Sequence, residues 1–294
     1  EHIEQYQVTN RTPRPGHASY ASYCKYGEWD DAIGAGFFSG RYTSTIVAAG
    51  AVARRLLAAQ GIEVFSYVKE AAGVRAPEVS FEAAKAKVDM FRKVRREYDP
   101  IYQWIFTDGR IAPGMRFLHK MSVIAELEQK LLDIRALAKP VDFEAIRKEY
   151  GIHFTMNCPD VDAAFEMEKR ILAIRDEGDS SGGVVEVVAR GVPAGMGEPV
   201  FRKLDGEIGQ MMSIGTVKAV EIGAGLTVKD LRGSECNDAM RAADGKVTFP
   251  TNQAGGLTGG LTTGQDIVVR LAIKPTPTIA KDQYTIDKVS VENA

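Results

Sequence analysis

Apolar residues recur at helical spacing between 43 and 60, where Ile46, Val47, Val52, Leu56 and Leu57 share one side and Thr43 or Ser44 suits the N-cap. The rest of that face is Ala and Gly, which predicts another element packed close against it. A strand follows at 62–68, with Ile62, Val64, Phe65 and Val68 apolar. From about 76 to 150 the pattern changes to long, charged, helical stretches, Phe81 to Tyr98 and Met121 to Lys139, broken at Asp99-Pro100 and Lys139-Pro140. Trp104, Phe106, Phe117 and Leu118 lie between them and predict a small apolar seam, while the alternating charges predict a solvated face.

Beyond this segment the spacing predicts a helix over 160–178, a strand over 183–192, a helix over 197–213 and a strand over 217–222. A glycine-rich stretch from 223 to 265 reads as loop, and a β-branched strand closes the pattern at 266–274. Gly191 to Pro199 reads as a strand-to-helix turn. The opening residues, to about Asp31, are rich in Tyr, Gly and Pro and predict extended chain or loop. The order points to an α/β sandwich of two loosely similar parts. The core is expected at 1–75 and 151–294, with a helical insertion at 76–150.

The bulk properties narrow the function classes. With 294 residues and 45% apolar content, the chain can build a substantial core. A formal net charge of −2 gives no basic field for nucleic acid, and no apolar run is long enough to span a bilayer. Cys24, Cys158 and Cys236 form no CxxC pair, and His2, His17, His119 and His153 are scattered, so no metal site is expected. The thiols read as reduced, in a cytoplasmic protein. The first residue is Glu1, so the natural N-terminus is expected to lie upstream.

Candidate chemistry concentrates in four segments. Gly36-Phe37-Phe38-Ser39-Gly40-Arg41-Tyr42-Thr43 places a flexible, hydroxyl-bearing turn and one cation before the first helix, where backbone N–H groups and a guanidinium can meet a phosphate. Arg41 is either that anion ligand or a surface arginine, although positive charge at a helix N-terminus is unfavourable. Phe37 and Phe38 are either core residues or a wall beside a flat ring. In Arg14-Pro15-Gly16-His17, a stiff residue and a small one precede the imidazole. His17 is either a proton carrier or a loop histidine bonded to a carbonyl. Lys274-Pro275-Thr276-Pro277-Thr278 offers a cation and two hydroxyls after a strand, either for a ring carbonyl and a phosphate tail or as a plain strand exit. Thr251 to Gly256, with Gly259 and Gly260, lets backbone approach a ligand closely, but it is neither a Rossmann fingerprint nor a P-loop.

Taken in order, these segments resemble chorismate synthase. Arg14-Pro15-Gly16-His17-Ala18, with Lys25-Tyr26-Gly27 and Asp30, is similar to that family's histidine loop. Ser39-Gly40-Arg41, Thr43, Val47 and Gly50-Ala51-Val52 fit its central signature. Asp179-Ser180, Gly182-Gly183 and Arg190 through Phe201 match closely, as do Met212-Ser213-Ile214, Val220 to Gly223, Arg232 to Glu235, Asn252, Ala254 to Gly256, and Lys274 to Thr278. The match covers about 14–70 and 157–279.

The resemblance implies a β-α-β sandwich with helices between sheets, assembled as a homotetramer. It implies a lyase that converts 5-enolpyruvylshikimate 3-phosphate to chorismate and phosphate by anti-1,4 elimination, with reduced FMN and no net redox change. His17 would supply a proton to the reduced flavin, and Arg41, with Ser39, would bind the anionic substrate. Phe37, Phe38, Ser39, Gly215, Thr216, Gly259, Lys274, Pro275, Thr276, Pro277 and Thr278 would contact FMN. Neither nucleic acid nor membrane is an expected partner. Many members carry Arg at the position of Phe37, Asp at Ser19 and Asn-Ala at Gly215-Thr216. The family's Gly-Glu-Ser-His-Gly and Arg-His-Asp-Pro segments do not occur here, so the chain is expected to be a fragment. A non-catalytic flavin- or phosphate-binding module is the alternative.

Overall fold

The computed structural model describes residues 10–30, 37–106 and 142–294. The chain divides into two compact units, one formed by 1–75 with 166–294 and the other by 76–165. The first unit is built on a five-stranded antiparallel sheet. Its strands are β1 (Glu63–Ala71), β2 (Val74–Arg75), β3 (Gly183–Arg190), β4 (Val217–Ile222) and, late in the chain, β9 (Ile267–Ile273), in the order β2-β1-β3-β9-β4. Residues directly paired across strands share a face, and successive residues alternate. One face is therefore apolar: Val269, Leu271, Ile267 and Val217 are buried there with Ile62, Val192 and Leu257. Leu204 and Ile208, from the short helix Leu204–Gly209, pack on that cluster.

The opposite face carries a polar row. Tyr67 pairs with Glu186 and Glu186 with Arg270 in the strand register. The Tyr67 hydroxyl donates to Glu186 Oε1, Arg270 Nε lies 3.6 Å from Glu186 Oε2, and Arg270 Nη1 donates to the Gly223 carbonyl at 2.9 Å. Glu186 is 8% exposed, so desolvation is tolerated only because both its oxygens have partners. Lys69, on β1, is buried as well.

Several expectations are corrected. The opening stretch is helical: α1 (Ser19–Tyr26) is followed by a 3-10 turn at Gly27–Trp29. Its support is tertiary and so invisible to local pattern. Ser22 Oγ donates to Asp30, and Lys288 Nζ, 3.4 Å from Asp30 Oδ2, lies over the Tyr23 ring. Helix α2 (Thr43–Ala59) forms where the pattern places it, but Thr43 and Ser44 do not cap it. Ser39 Oγ instead accepts from the Arg41 N–H and starts a 3-10 turn at Gly40–Tyr42, while the Thr43 and Ser44 hydroxyls donate back to the carbonyls of Gly40 and Arg41. No residue of α2 is buried, so the close partner expected for its Ala/Gly face is not found among the described residues.

The helix expected over 197–213 is confined to Leu204–Gly209 and a 3-10 turn at Gln210–Ser213. Residues before it turn back on themselves through the Glu198–Arg202 bridge, and Leu204 N–H donates to the Gly260 carbonyl. The loop-like stretch 223–265 holds two small hairpins, β5 (Arg241–Ala243) with β6 (Lys246–Thr248) and β7 (Leu257–Thr258) with β8 (Leu261–Thr262).

In the second unit, the helix Phe81–Phe106 runs through Asp99-Pro100, where a break was expected. A proline forfeits one backbone donor, and the long helix-forming run before it outweighs that loss. The helix Phe143–Tyr150 starts with Asp142 Oδ1 accepting from Ala145 N–H at 2.9 Å and ends at Gly151, whose φ is 60°. Val94, Ile146, Ile152 and Phe154 form the core of this unit. The second expected helix, Met121 to Lys139, lies outside the described residues, as do Phe117 and Leu118. The helix Val161–Asp176 spans the boundary between the units in sequence; Asp160 Oδ1 accepts from Ala163 N–H at its start.

Candidate functional site

Pro15 and Gly16 set the loop that presents His17. Gly16 has φ of 71°, and a Cβ there would stand 3.4 Å from Pro277 Cβ and 3.9 Å from Lys274 Nζ. The space would admit a Cβ at ordinary contact, and it is the positive φ that favours glycine here. The turn closes with His17 N–H donating to the Arg14 carbonyl at 3.1 Å, and the loop runs directly into α1. The His17 ring is half-buried. Its Nδ1 accepts from Ser19 N–H at 3.1 Å, and Arg14 Nη2 lies 3.2 Å from Nε2.

The 274–278 segment meets this loop as it leaves β9. Lys274 Nζ donates to the Gly16 carbonyl, and Arg14 Nη1 donates to Thr278 Oγ1 at 2.7 Å. Lys274 N–H donates to the Thr216 carbonyl at 2.9 Å, which ties in the Gly215-Thr216 turn before β4. Thr216 has φ of 75°, a region that a β-branched residue rarely enters. Ser180 Oγ donates to the Thr276 carbonyl at 2.7 Å. His17, Thr216, Lys274, Thr276, Pro277 and Thr278, far apart in sequence, are thus joined.

Electrostatically the group is positive. Burial lowers the pKa of His17 from its ordinary value near 6.5, and the charges of Arg14 and Lys274 lower it further. Neither Arg14 nor Lys274 has an acidic partner among the described residues. The nearby Asp179 is taken by Lys281 at 2.7 Å, a pairing that holds the carboxyl below its usual range. Among the described residues no group of three or more His, Cys, Asp and Glu could hold a metal ion, and no helix is long and apolar enough to cross a membrane.

The other expected site residues lie on other segments of the chain. Arg41 Nε donates to Ser39 Oγ at 3.2 Å, so the guanidinium is steadied within its own turn. Phe37 and Phe38 are 81% and 48% exposed, which removes the core reading for that pair. The hydrogen bonds of Arg14, His17 and Lys274 lie within the His17 loop or join Arg14 to Thr278 and Lys274 to Gly16 and Thr216, and among the described residues none runs to the Arg41 turn. Gly259, with φ of 67°, sits in the turn of the Leu257–Thr262 hairpin, where the adjacent Gly260 carbonyl anchors Leu204.

A second loop is held by a carboxylate. Asp238 accepts from Thr251 Oγ1 and Gln253 N–H at 2.7 Å each and from Ala254 N–H at 2.9 Å. Burial pushes this carboxyl up, but the three hydrogen bonds outweigh burial and hold its pKa below the ordinary value. No local pattern in the sequence marks Asp238, and none gives Arg14 a role. Arg14 stands three residues before His17 in a tight turn, the one spacing that could have suggested contact.

The chain matches the family model described as chorismate synthase over residues 1–294. Among curated relatives, a chorismate synthase of Acetivibrio thermocellus is 38% identical over 297 residues, covering 100% of this chain and 59% of the relative. One of Methanosarcina mazei is 38% identical over 290 residues, covering 98% and 62% respectively. The chain thus spans about three-fifths of the length of these relatives. A solved structure titled "Crystal Structure of Chorismate Synthase" superposes with a TM-score of 0.59 at 28% identity, covering 87% of this chain and 63% of that one.

Proposed function

The chain belongs to the chorismate synthase family, and we propose that its protein is a carbon–oxygen lyase that converts 5-enolpyruvylshikimate 3-phosphate to chorismate and phosphate. The observation that carries this reading is the junction of the His17 loop with residues 274–278, where a half-buried imidazole, two cations with no acidic partner among the described residues and a threonine hydroxyl meet. The reaction breaks one C–H and one C–O bond, releases a proton and phosphate, and leaves the oxidation level unchanged. Its substrate is polyanionic, and fixed cations are what such a substrate needs.

The donor set also fits a phosphorylated flavin. The Lys274 ammonium and the hydroxyls of Thr276 and Thr278 suit a phosphate, and the exposed faces of Phe37 and Phe38 suit a flat ring. Gly215, Thr216 and Gly259 would bring backbone beside it. Reduced FMN, when bound, supplies the electron density that assists departure of phosphate. His17 holds and moves a proton at Nε2 in this reading. Ser39 orients Arg41, and Arg41 binds a substrate anion. The proposal includes a cytoplasmic homotetramer, supported by the apolar Ile46, Val47, Val52 and Leu56 left exposed on α2.

The test is chorismate formation from 5-enolpyruvylshikimate 3-phosphate with reduced FMN. His17→Ala is expected to cut turnover far more than substrate affinity. Equal losses in both would remove the proton-transfer role, and flavin binding without any turnover would favour the non-catalytic module.

A further inference from the structure

The surroundings of His17 contain an unresolved competition between donors. A neutral imidazole offers one donor and one acceptor, whereas a guanidinium and a backbone N–H only donate. Here Ser19 N–H faces Nδ1 at 3.1 Å and Arg14 Nη2 faces Nε2 at 3.2 Å. Whichever nitrogen carries the ring proton, one of these donors meets a hydrogen instead of a lone pair. An imidazolium would meet two. Among the described residues the charged groups that act on the ring, Arg14 and Lys274, are both positive, and Ser19, which donates to it, is neutral. Ser19 N–H is fixed at the start of α1, so the mobile partner is the arginine side chain. Arg14 is anchored at its other end only by the neutral Thr278 hydroxyl, with no carboxylate among the described residues to hold it.

We propose that Arg14 is a latch on the proton of His17: docked at Nε2 it keeps the imidazole neutral, and an oxyanion that draws the guanidinium away frees Nε2 to carry a proton. With Arg14 withdrawn, the tautomer protonated at Nε2 satisfies every remaining bond, because Nδ1 still accepts from Ser19 N–H. The removal of one positive charge favours protonation in the same direction. Arg14 is a positioning residue in this account, and it makes proton availability depend on the arrival of an anion. The catalytic meaning rests on the lyase reading above; the latch itself does not.

The test is a side-chain NMR titration of His17 in the whole chain, with the signal assigned by its loss in His17→Gln. Sulfate serves as the oxyanion, because its charge is constant over the range, against chloride at equal ionic strength. Wild-type His17 is expected to titrate below its ordinary value, Arg14→Gln to titrate higher, and Arg14→Lys to lie between them. Sulfate should raise the wild-type midpoint more than chloride does and should have no such extra effect in Arg14→Gln. An Arg14→Gln midpoint equal to wild type, or a sulfate effect that survives the substitution, would overturn the latch. Should Arg14→Gln lose its dispersed spectrum, Thr278→Val removes only the anchor; it should move the midpoint up, and an unmoved midpoint would equally overturn the proposal. Failure of chorismate formation would leave these titrations unaffected, so the two ideas fail separately.

Discussion

Gly182 lies where the start of β3 meets the exit of β9, and its replacement by alanine pushes on the 273–275 backbone without removing any proposed ligand side chain. A Cβ at 182 would lie 2.4 Å from the Ile273 carbonyl oxygen, 3.2 Å from Pro275 Cδ and 3.4 Å from the Lys274 carbonyl carbon. Contacts of a real Cβ begin near 3.0 Å, so the 273–275 backbone must retreat by about 0.6 Å, beyond the ~0.5 Å within which functional groups tolerate displacement. Gly183→Ala is the matched control, because its Cβ would meet the Glu70 carbonyl at 2.5 Å, on the β1 side of the sheet. Overpacking of this kind costs about 1–3 kcal/mol. Urea unfolding should therefore show both variants destabilised to that extent. Flavin-fluorescence titration should show weakened FMN binding in Gly182→Ala and much less change in Gly183→Ala. A Gly182→Ala protein that unfolds with wild type, or that binds FMN as tightly, would refute the packing argument.

Three further outcomes are expected. Arg270→Met leaves Glu186 buried without its cation and should lower stability by about 3–5 kcal/mol, while adding Glu186→Gln should recover much of the loss in a double-mutant unfolding cycle. Asp238 has its carboxyl held below the ordinary range, so the stability it contributes is fully present above that range and is lost as pH falls through the native value. Asp238→Asn should flatten the acid limb of a stability-versus-pH curve, and an unchanged limb would contradict the assignment. Arg41→Ala should weaken binding of 5-enolpyruvylshikimate 3-phosphate by calorimetry with little effect on stability, since the residue is exposed.

Legibility in the sequence followed the range of the interactions involved. The strands over 183–190, 217–222 and 267–273 were readable because β-branched runs bounded by glycine report local preference and burial together. Helix α2 was readable from periodicity, but its surroundings were not, since an Ala/Gly face says that close packing is allowed and not that a partner is present. Helix α1 was hidden because Asp30 and Lys288, 258 residues apart, support it. The site divided in the same way. His17 and the 274–278 segment stood out separately as stiff, polar segments, whereas their junction is made by the Lys274–Gly16 and Arg14–Thr278 hydrogen bonds, contacts no spacing rule encodes. Arg14 drew no role because its importance lies in what it faces.

The most direct measurement is a crystal structure of the chain with reduced FMN and 5-enolpyruvylshikimate 3-phosphate. The account predicts the flavin phosphate on Lys274 to Thr278, His17 Nε2 within about 3.2 Å of the flavin ring system, and Arg14 moved from the imidazole onto an anionic oxygen. Flavin seated elsewhere, with Arg14 still on His17 and Lys274 still bound only to Gly16, would contradict it.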